Sequence, residues 1–205
     1  MALLDRPKLG FSATKLPFGL HYSWIVIGIL ATVQIFASSI SMAAGIMVPP
    51  LNDANGEFGW SLGTIGVVIA SYYFFGAIYA PITGWLGDRY GSRWILFAAS
   101  IMYLISMFLL SQVTEVWHFF VFFGLCLSLT QSLAMVPLMA AVSGWFRRRL
   151  GLGIGLLWGA GGIGTGIMAP LMGGLIDGFG WQGTFIVIGA VGGGIMLCMV
   201  PFMRS

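Results

Sequence analysis

Charged side chains are scarce in this chain. Asp, Glu, Lys and Arg make up 7% of its 205 residues, whereas hydrophobic residues make up 59%. Because a soluble domain carries about 25% charged residues, this chain lacks the polar side chains that would cover a water-facing surface. The mean hydropathy of +0.97 points the same way. The composition therefore excludes an ordinary soluble domain and predicts a membrane protein.

Cysteine and histidine are also rare, with two of each in the chain. Cys126 and Cys198 lie within apolar stretches, and we interpret both as small buried side chains rather than as a disulfide pair. Glu115 and His118 have the spacing of a metal pair, but two ligands in a short surface loop make a poor site. We therefore predict no metal and no cofactor.

Long hydrophobic runs, by contrast, fill most of the chain. Six of them contain no charged residue, and each approaches or exceeds the ~20 residues that an α-helix needs to cross the hydrocarbon layer. The sequence therefore predicts an all-α membrane protein with six transmembrane helices. The predicted spans are residues 22–51, 61–87, 94–111, 116–144, 150–176 and 184–203.

The basic residues fall on one side of these spans. If the N-terminus is cytoplasmic, every Lys and Arg lies at the cytoplasmic face, as the positive-inside rule requires. The opposite loops carry the acidic residues Asp53, Glu57, Glu115 and Asp177. We therefore predict a multi-pass inner (plasma) membrane protein with both termini in the cytoplasm. Residues 1–20 form a cytoplasmic segment, and residues 21–205 form the six-helix domain.

A sequence motif at the end of the second predicted span recurs at the end of the fifth. Residues 80–93 and 169–182 share Ala, Pro, Gly, Leu, Asp and Gly in register, but the second copy lacks the arginines of the first. An odd number of membrane crossings separates the copies, so the second faces the other side of the membrane, where positive charge is disfavoured.

The repeat predicts a three-plus-three inverted arrangement. Its two units cover about residues 21–112 and 113–205. Inverted repeats are typical of secondary transporters, which hold their substrate near the membrane midplane between the repeats. Structural proteins and membrane enzymes have little reason to contain one.

Uncharged polar side chains mark a possible substrate cavity. In the first span they recur at spacings of four and three residues and so share one helix face; the fourth span carries a counterpart, and a deep tyrosine in the second needs a partner for its hydroxyl. Such groups face either a water-filled cavity or a neighbouring helix, and both interpretations stay open. The candidates are Gln34, Ser38, Ser41, Tyr72, Thr130 and Gln131.

The fifth span is rich in glycine. Gly155 and Gly159, like Gly162 and Gly166, are four residues apart, a spacing that lets helix backbones approach closely. We predict that these glycines and Pro170 form a helix-packing face. Residues 159–164 also match G-x-G-x-x-G, but that fingerprint must follow a strand and open a helix, so we do not assign a nucleotide cofactor.

Several segments resemble known transporters. Gly84-x-Leu86-x-Asp88-Arg89-x-Gly91-x-Arg93 resembles the loop between helices two and three of the major facilitator superfamily. Residues 145–155, 169–171 and 179–185, with Trp24-Ile25-Val26, resemble its monocarboxylate-porter-like branch and the neighbouring oxalate/formate exchangers. The likeness spans essentially the whole chain but covers only the N-terminal half of a twelve-helix fold. The lysine that this branch often places in the first helix has no counterpart here.

The resemblance implies alternating access around a central site. Gly84, Asp88, Arg89, Gly91 and Arg93 would form a cytoplasmic gating loop. The implied partners are the lipid bilayer, a small organic anion such as a monocarboxylate, alone or with a proton, and a second six-helix half. That half is either a missing C-terminal half or a dimer partner. No nucleic acid is expected, because nine basic residues dispersed among loops form no binding surface.

Two alternatives remain open at this point. One is transport of another substrate class, such as a drug or a sugar, because the sequence does not reveal the solute. The other is a six-helix membrane subunit that transports nothing, which would agree with the short chain.

Overall fold

In the computed structural model, the residues described are 28, 31–38, 44–45, 48–49, 51–52, 58–145 and 150–202. All regular secondary structure within these residues is helical. The best-described part of the first predicted span is helix α1, residues 31–38. Ser41 lies outside the described residues.

Helices α2 and α3 are joined by a single residue. Helix α2 (Leu62–Tyr90) begins at the N-cap Ser61, whose hydroxyl oxygen accepts a hydrogen bond from the Thr64 amide at 3.1 Å. It ends at Gly91, where φ is 82° and ψ is 154°. Helix α3 (Ser92–Ser111) follows directly. The residue at this turn is glycine because side-chain-bearing residues avoid this backbone conformation.

The fourth predicted span is a continuous helical rod with a wider turn in it. Helix α4 (Val116–Phe119) passes into a π-helical stretch (Phe120–Leu127) and then into α5 (Ser128–Trp145). π-Helical segments are uncommon and occur frequently near functional sites.

Helix α6 (Leu150–Met199) is 50 residues long. A straight helix of this length would measure about 75 Å, more than twice the thickness of the hydrocarbon layer. The backbone departs from helical geometry at Gly180, where φ is 69° and ψ is 174°. The fifth and sixth predicted spans therefore form one element with an internal break, which is followed by a short 3₁₀ turn (Val200–Phe202).

Four helices in the described residues are long and apolar enough to cross a membrane: Leu62–Tyr90, Ser92–Ser111, Val116–Ala140 and Leu150–Met199. The all-helical membrane architecture agrees with the sequence prediction. The count of six spans differs for two reasons: the first span is described only in part, and the fifth and sixth are merged across Gly180.

The core forms where α3 packs against α5 and α6. Its largest fully buried side chains include Tyr103, Phe119, Phe123 and Phe185. Glycines of α6 allow the close approach: a Cβ at Gly189 would lie 2.6 Å from the Cβ of Met107. Many large apolar side chains remain exposed on the outer faces, as expected of helices whose surroundings are lipid.

Candidate functional site

A cavity of about 620 Å³ lies between α1, α2, α5 and α6. The described residues that line it are Gln34, Ser38, Tyr72, Tyr73, Gly76, Ala80, Ser128, Gln131, Ser132, Met135, Val136, Trp158, Gly161, Gly162 and Thr165. None of these residues is charged. The wall combines an apolar surface with a few polar groups, which is typical of a small-molecule site.

The two glutamines are the least satisfied polar groups in the lining. Gln34 of α1 is only 3% exposed. In both Gln34 and Gln131, the side-chain Oε1 atom is buried and has no hydrogen-bond partner among the described residues. Gly161 makes room for the first amide, since a Cβ there would lie 3.0 Å from the Nε2 atom of Gln34. Buried polar groups are normally paired, so two buried amide oxygens without a described partner make this cavity a candidate binding site.

Serine hydroxyls hold α5 against α2 beside the cavity. The Ser128 hydroxyl donates a hydrogen bond to the backbone carbonyl of Tyr72 at 2.7 Å, and the Ser132 hydroxyl donates to that of Gly76 at 3.3 Å. These two serines lie on either side of Gln131 along α5. Their bonds tie the segment that carries this glutamine to α2.

Four of the six candidate cavity residues line the cavity: Gln34, Ser38, Tyr72 and Gln131. Thr130 lies elsewhere. It is fully buried, its Oγ1 atom is 3.0 Å from the Ser106 hydroxyl of α3, and it donates to the Cys126 carbonyl at 2.9 Å. Thr130 is therefore placed as an interhelical contact. Adjacent residues on a helix point about 100° apart, so Thr130 and Gln131 cannot share a face.

Ser128, Ser132 and Thr165 line the cavity although we did not name them as candidates. A signal for the first two was present in the sequence, because they are four residues apart and so share a helix face. Thr165 carried no comparable signal among the glycines of the fifth span.

The predicted gating loop lies at the junction of α2 and α3. Asp88, Arg89 and Arg93 are exposed. The Arg89 guanidinium lies 5.2 Å from the ring centre of Trp85 and 5.7 Å from that of Tyr90, which are cation–π distances. No salt bridge to Asp88 is found within the described part of the chain.

The same end of α2 packs onto the cavity wall. A Cβ at Gly87 would lie 3.3 Å from a methyl carbon of Val136, which lines the cavity. Gly84, by contrast, has open space where its Cβ would be, as far as the described neighbours go. The loop and the cavity are therefore connected through one helix–helix contact.

At the four predicted packing glycines the structure shows no close contact with a described residue. A Cβ at Gly155, Gly159, Gly162 or Gly166 would meet no described atom within 4 Å. The close approach to α1 occurs instead at Gly161 and Gly164. In a glycine-rich helix several small-residue stripes overlap, and their spacing does not show which one faces a neighbour. Pro170 lies inside α6 and is exposed.

Comparison with known proteins decides the family. The sequence profile of the Major Facilitator Superfamily matches residues 15–204. The chain belongs to this superfamily. Monocarboxylate transporter 11 of Mus musculus is 23% identical over 170 residues, which cover 83% of this chain and 37% of that protein. Monocarboxylate transporter 13 of Rattus norvegicus is 25% identical over 137 residues, covering 67% and 31%.

A further relative is named for a different solute. Riboflavin transporter MCH5 of Saccharomyces cerevisiae is 25% identical over 166 residues, which cover 81% of this chain and 30% of that protein. The chain spans about a third of the length of these curated relatives. The superfamily match and the apolar helices identify an integral membrane protein that is similar to proteins named as monocarboxylate transporters.

Proposed function

We propose that this chain serves secondary active transport of a small organic solute, of the monocarboxylate class, by alternating access. The observation that carries the proposal is the 620 Å³ cavity, which is walled by helices from both predicted repeat units and lined by uncharged polar groups. Transporter sites formed at repeat interfaces have this character. The names of the monocarboxylate-transporter relatives supply the solute class.

The inverted repeat is part of this proposal. Gly91 and Gly180, which occupy matched positions in the two copies, have similar and rare backbone angles of 82°/154° and 69°/174°. Pro81 and Pro170, also matched, both lie inside helices. These parallels support six spans in two repeated units, with α6 divided at Gly180, and the positive-inside distribution of Lys and Arg supports cytoplasmic termini.

The cytoplasmic latch is proposed at Asp88, Arg89 and Arg93. The Asp88 carboxylate is exposed and has no ion pair with any described residue, so it is free to pair with an arginine or a helix N-terminus in another state. Arg89 rests on aromatic rings, a contact that it can exchange for a carboxylate. In this scheme the inner gate closes when the charged pairs form.

A second six-helix half is needed to close the cavity on its other side. It is either a C-terminal half of the same protein or another copy of this chain. Crosslinking in membranes distinguishes the two: a crosslinked homodimer supports the second arrangement. A six-helix subunit that transports nothing would bind its partner but support no uptake.

Uptake into proteoliposomes tests the function. The purified chain, together with the second half that crosslinking identifies, is reconstituted and supplied with radiolabelled lactate, pyruvate or oxalate, with protein-free liposomes as the control. Saturable uptake, accelerated by unlabelled substrate inside the liposomes, supports the proposal. Uptake at the protein-free level for all substrates, from chain shown to be folded and inserted, contradicts transport by this chain.

A further inference from the structure

The serine and threonine hydroxyls in the cavity wall already donate hydrogen bonds to backbone carbonyls. Each of the four seryl and threonyl hydroxyls in the lining donates to a backbone carbonyl: Ser38 to Ile35, Ser128 to Tyr72, Ser132 to Gly76 and Thr165 to Gly161, at 2.6, 2.7, 3.3 and 2.9 Å. A hydroxyl has one proton and two lone pairs. These hydroxyls can therefore still accept hydrogen bonds from a solute but have no further proton to donate.

The oxygens of two amides add further acceptors. Gln34 and Gln131 come from different helices, and no described residue donates a hydrogen bond to their buried Oε1 atoms. The remaining donors in the described wall are the amide NH₂ groups, two tyrosine hydroxyls and the indole N–H of Trp158. The described lining contains no Lys, Arg or His to neutralise an anion.

An ionised carboxylate fits this wall poorly. It accepts hydrogen bonds and donates none, so it cannot pair with the glutamine oxygens or with the serine and threonine lone pairs. The described lining also holds no cation to compensate its charge, and burial of an uncompensated charge is costly. A hydroxyl, an amide or a protonated carboxyl group can instead donate to the acceptors that lack partners.

Building on the proposed function, we propose that Gln34 and Gln131 bind an uncharged, hydrogen-bond-donating group of the solute. This six-helix unit therefore recognises the neutral end of its substrate, or a carboxyl group in its protonated form. Any ionised carboxylate is held by the second half or does not enter this part of the cavity.

Three aromatic compounds of similar shape differ in hydrogen-bond donation and in charge. Benzamide donates and accepts, methyl benzoate is neutral and only accepts, and benzoate at pH 7.5 is an anion. Equilibrium binding of each radiolabelled compound is measured on the purified chain in lipid nanodiscs, with empty nanodiscs to subtract partition into lipid. We expect benzamide to bind about tenfold more tightly than methyl benzoate, as for one or two buried hydrogen bonds, and benzoate to bind most weakly.

Variants assign the effect to the two amides. We expect Gln34→Leu and Gln131→Leu each to weaken benzamide binding about fivefold to tenfold and to leave methyl benzoate binding nearly unchanged. Gln112→Leu is the matched control, because Gln112 is exposed at the end of α3 and does not line the cavity. Size-exclusion chromatography confirms that each variant is folded; if a leucine variant is not, the comparison of the three probes on the unmodified chain decides.

Three outcomes overturn the inference: benzoate binding at least as tightly as benzamide, benzamide binding that neither glutamine affects, or no binding of any probe. Failure of the proposed function is distinguishable from these. If uptake is absent but benzamide binding depends on the glutamines, the transport function is contradicted and the binding site is supported. Normal uptake together with benzamide binding that neither leucine variant weakens rules out the site and leaves transport supported.

Discussion

Gly164 of α6 and Ser38 of α1 touch so closely that no side chain fits between the two helices. A Cβ at Gly164 would lie 2.7 Å from the Ser38 hydroxyl oxygen and 2.7 Å from the Cα of Ile35. One of these atoms belongs to the backbone, so the contact cannot be relieved by a rotamer change. The glycine therefore sets the distance between α1 and α6, and with it the width of the cavity that both helices line.

The first prediction concerns this contact. Gly164→Ala should push α1 away from α6 and destabilise the chain by about 1–3 kcal/mol, as overpacking does. Thermal unfolding in detergent, followed by size-exclusion chromatography, measures the effect. Gly166→Ala is the control, since a Cβ there would meet no described atom within 4 Å. Equal stability of the two variants would show that the helices do not approach as described.

The second prediction concerns the break in α6. Gly180→Ala should destabilise the chain by about 1–3 kcal/mol, because alanine is strained at φ 69° and ψ 174°. Gly178→Ala, at a nearby position with open space and helical geometry, should be neutral or slightly stabilising. The same unfolding assay compares them. If Gly180→Ala is as stable as its control, the helix continues through this position.

The third prediction separates Thr130 from the cavity. Its Oγ1 atom lies 3.0 Å from the Ser106 hydroxyl, so Thr130→Val and Ser106→Ala should show a coupling of about 0.6 kcal/mol, an average value for interhelical hydrogen bonds in membranes. A double-mutant cycle of unfolding measures it. Thr130→Val should leave benzamide binding unchanged. A loss of binding would show instead that Thr130 contacts the ligand.

The fourth prediction concerns the latch. Asp88→Asn should reduce uptake in the proteoliposome assay by about tenfold or more, because it removes a charge-assisted pair, while membrane insertion stays normal. Asp177→Asn changes the matched carboxylate in the other copy of the repeat, which lacks the neighbouring arginines, and should have a smaller effect. Unchanged uptake by Asp88→Asn would refute the latch.

The fifth prediction concerns topology. After Cys126 and Cys198 are replaced by alanine, single cysteines are introduced as Tyr90→Cys and Gly178→Cys, both at exposed positions. In intact cells a membrane-impermeant maleimide should label the second and should label the first only after permeabilisation. Labelling of both from the same side would refute the inverted repeat.

The sequence by itself determined that this chain is a helical membrane protein of the major facilitator type. Hydrocarbon excludes charge and unpaired backbone groups, so the apolar runs had to be helices and the charged motif 84–93 had to lie in or beside a loop. The predicted spans put the turn between residues 87 and 94, and the structure narrows it to Gly91.

The tertiary structure decided which faces of those helices meet. Gln34 and Gln131 line a common cavity, while Thr130, adjacent to Gln131, bonds to α3. Gly161 and Gly164 contact α1, while the neighbouring glycine stripe meets no described residue. In an apolar helix surrounded by lipid, hydrophobicity does not distinguish the buried side from the exposed side. The rotation of each helix about its axis is therefore set by close packing and by interhelical hydrogen bonds, which depend on residues far apart in the chain.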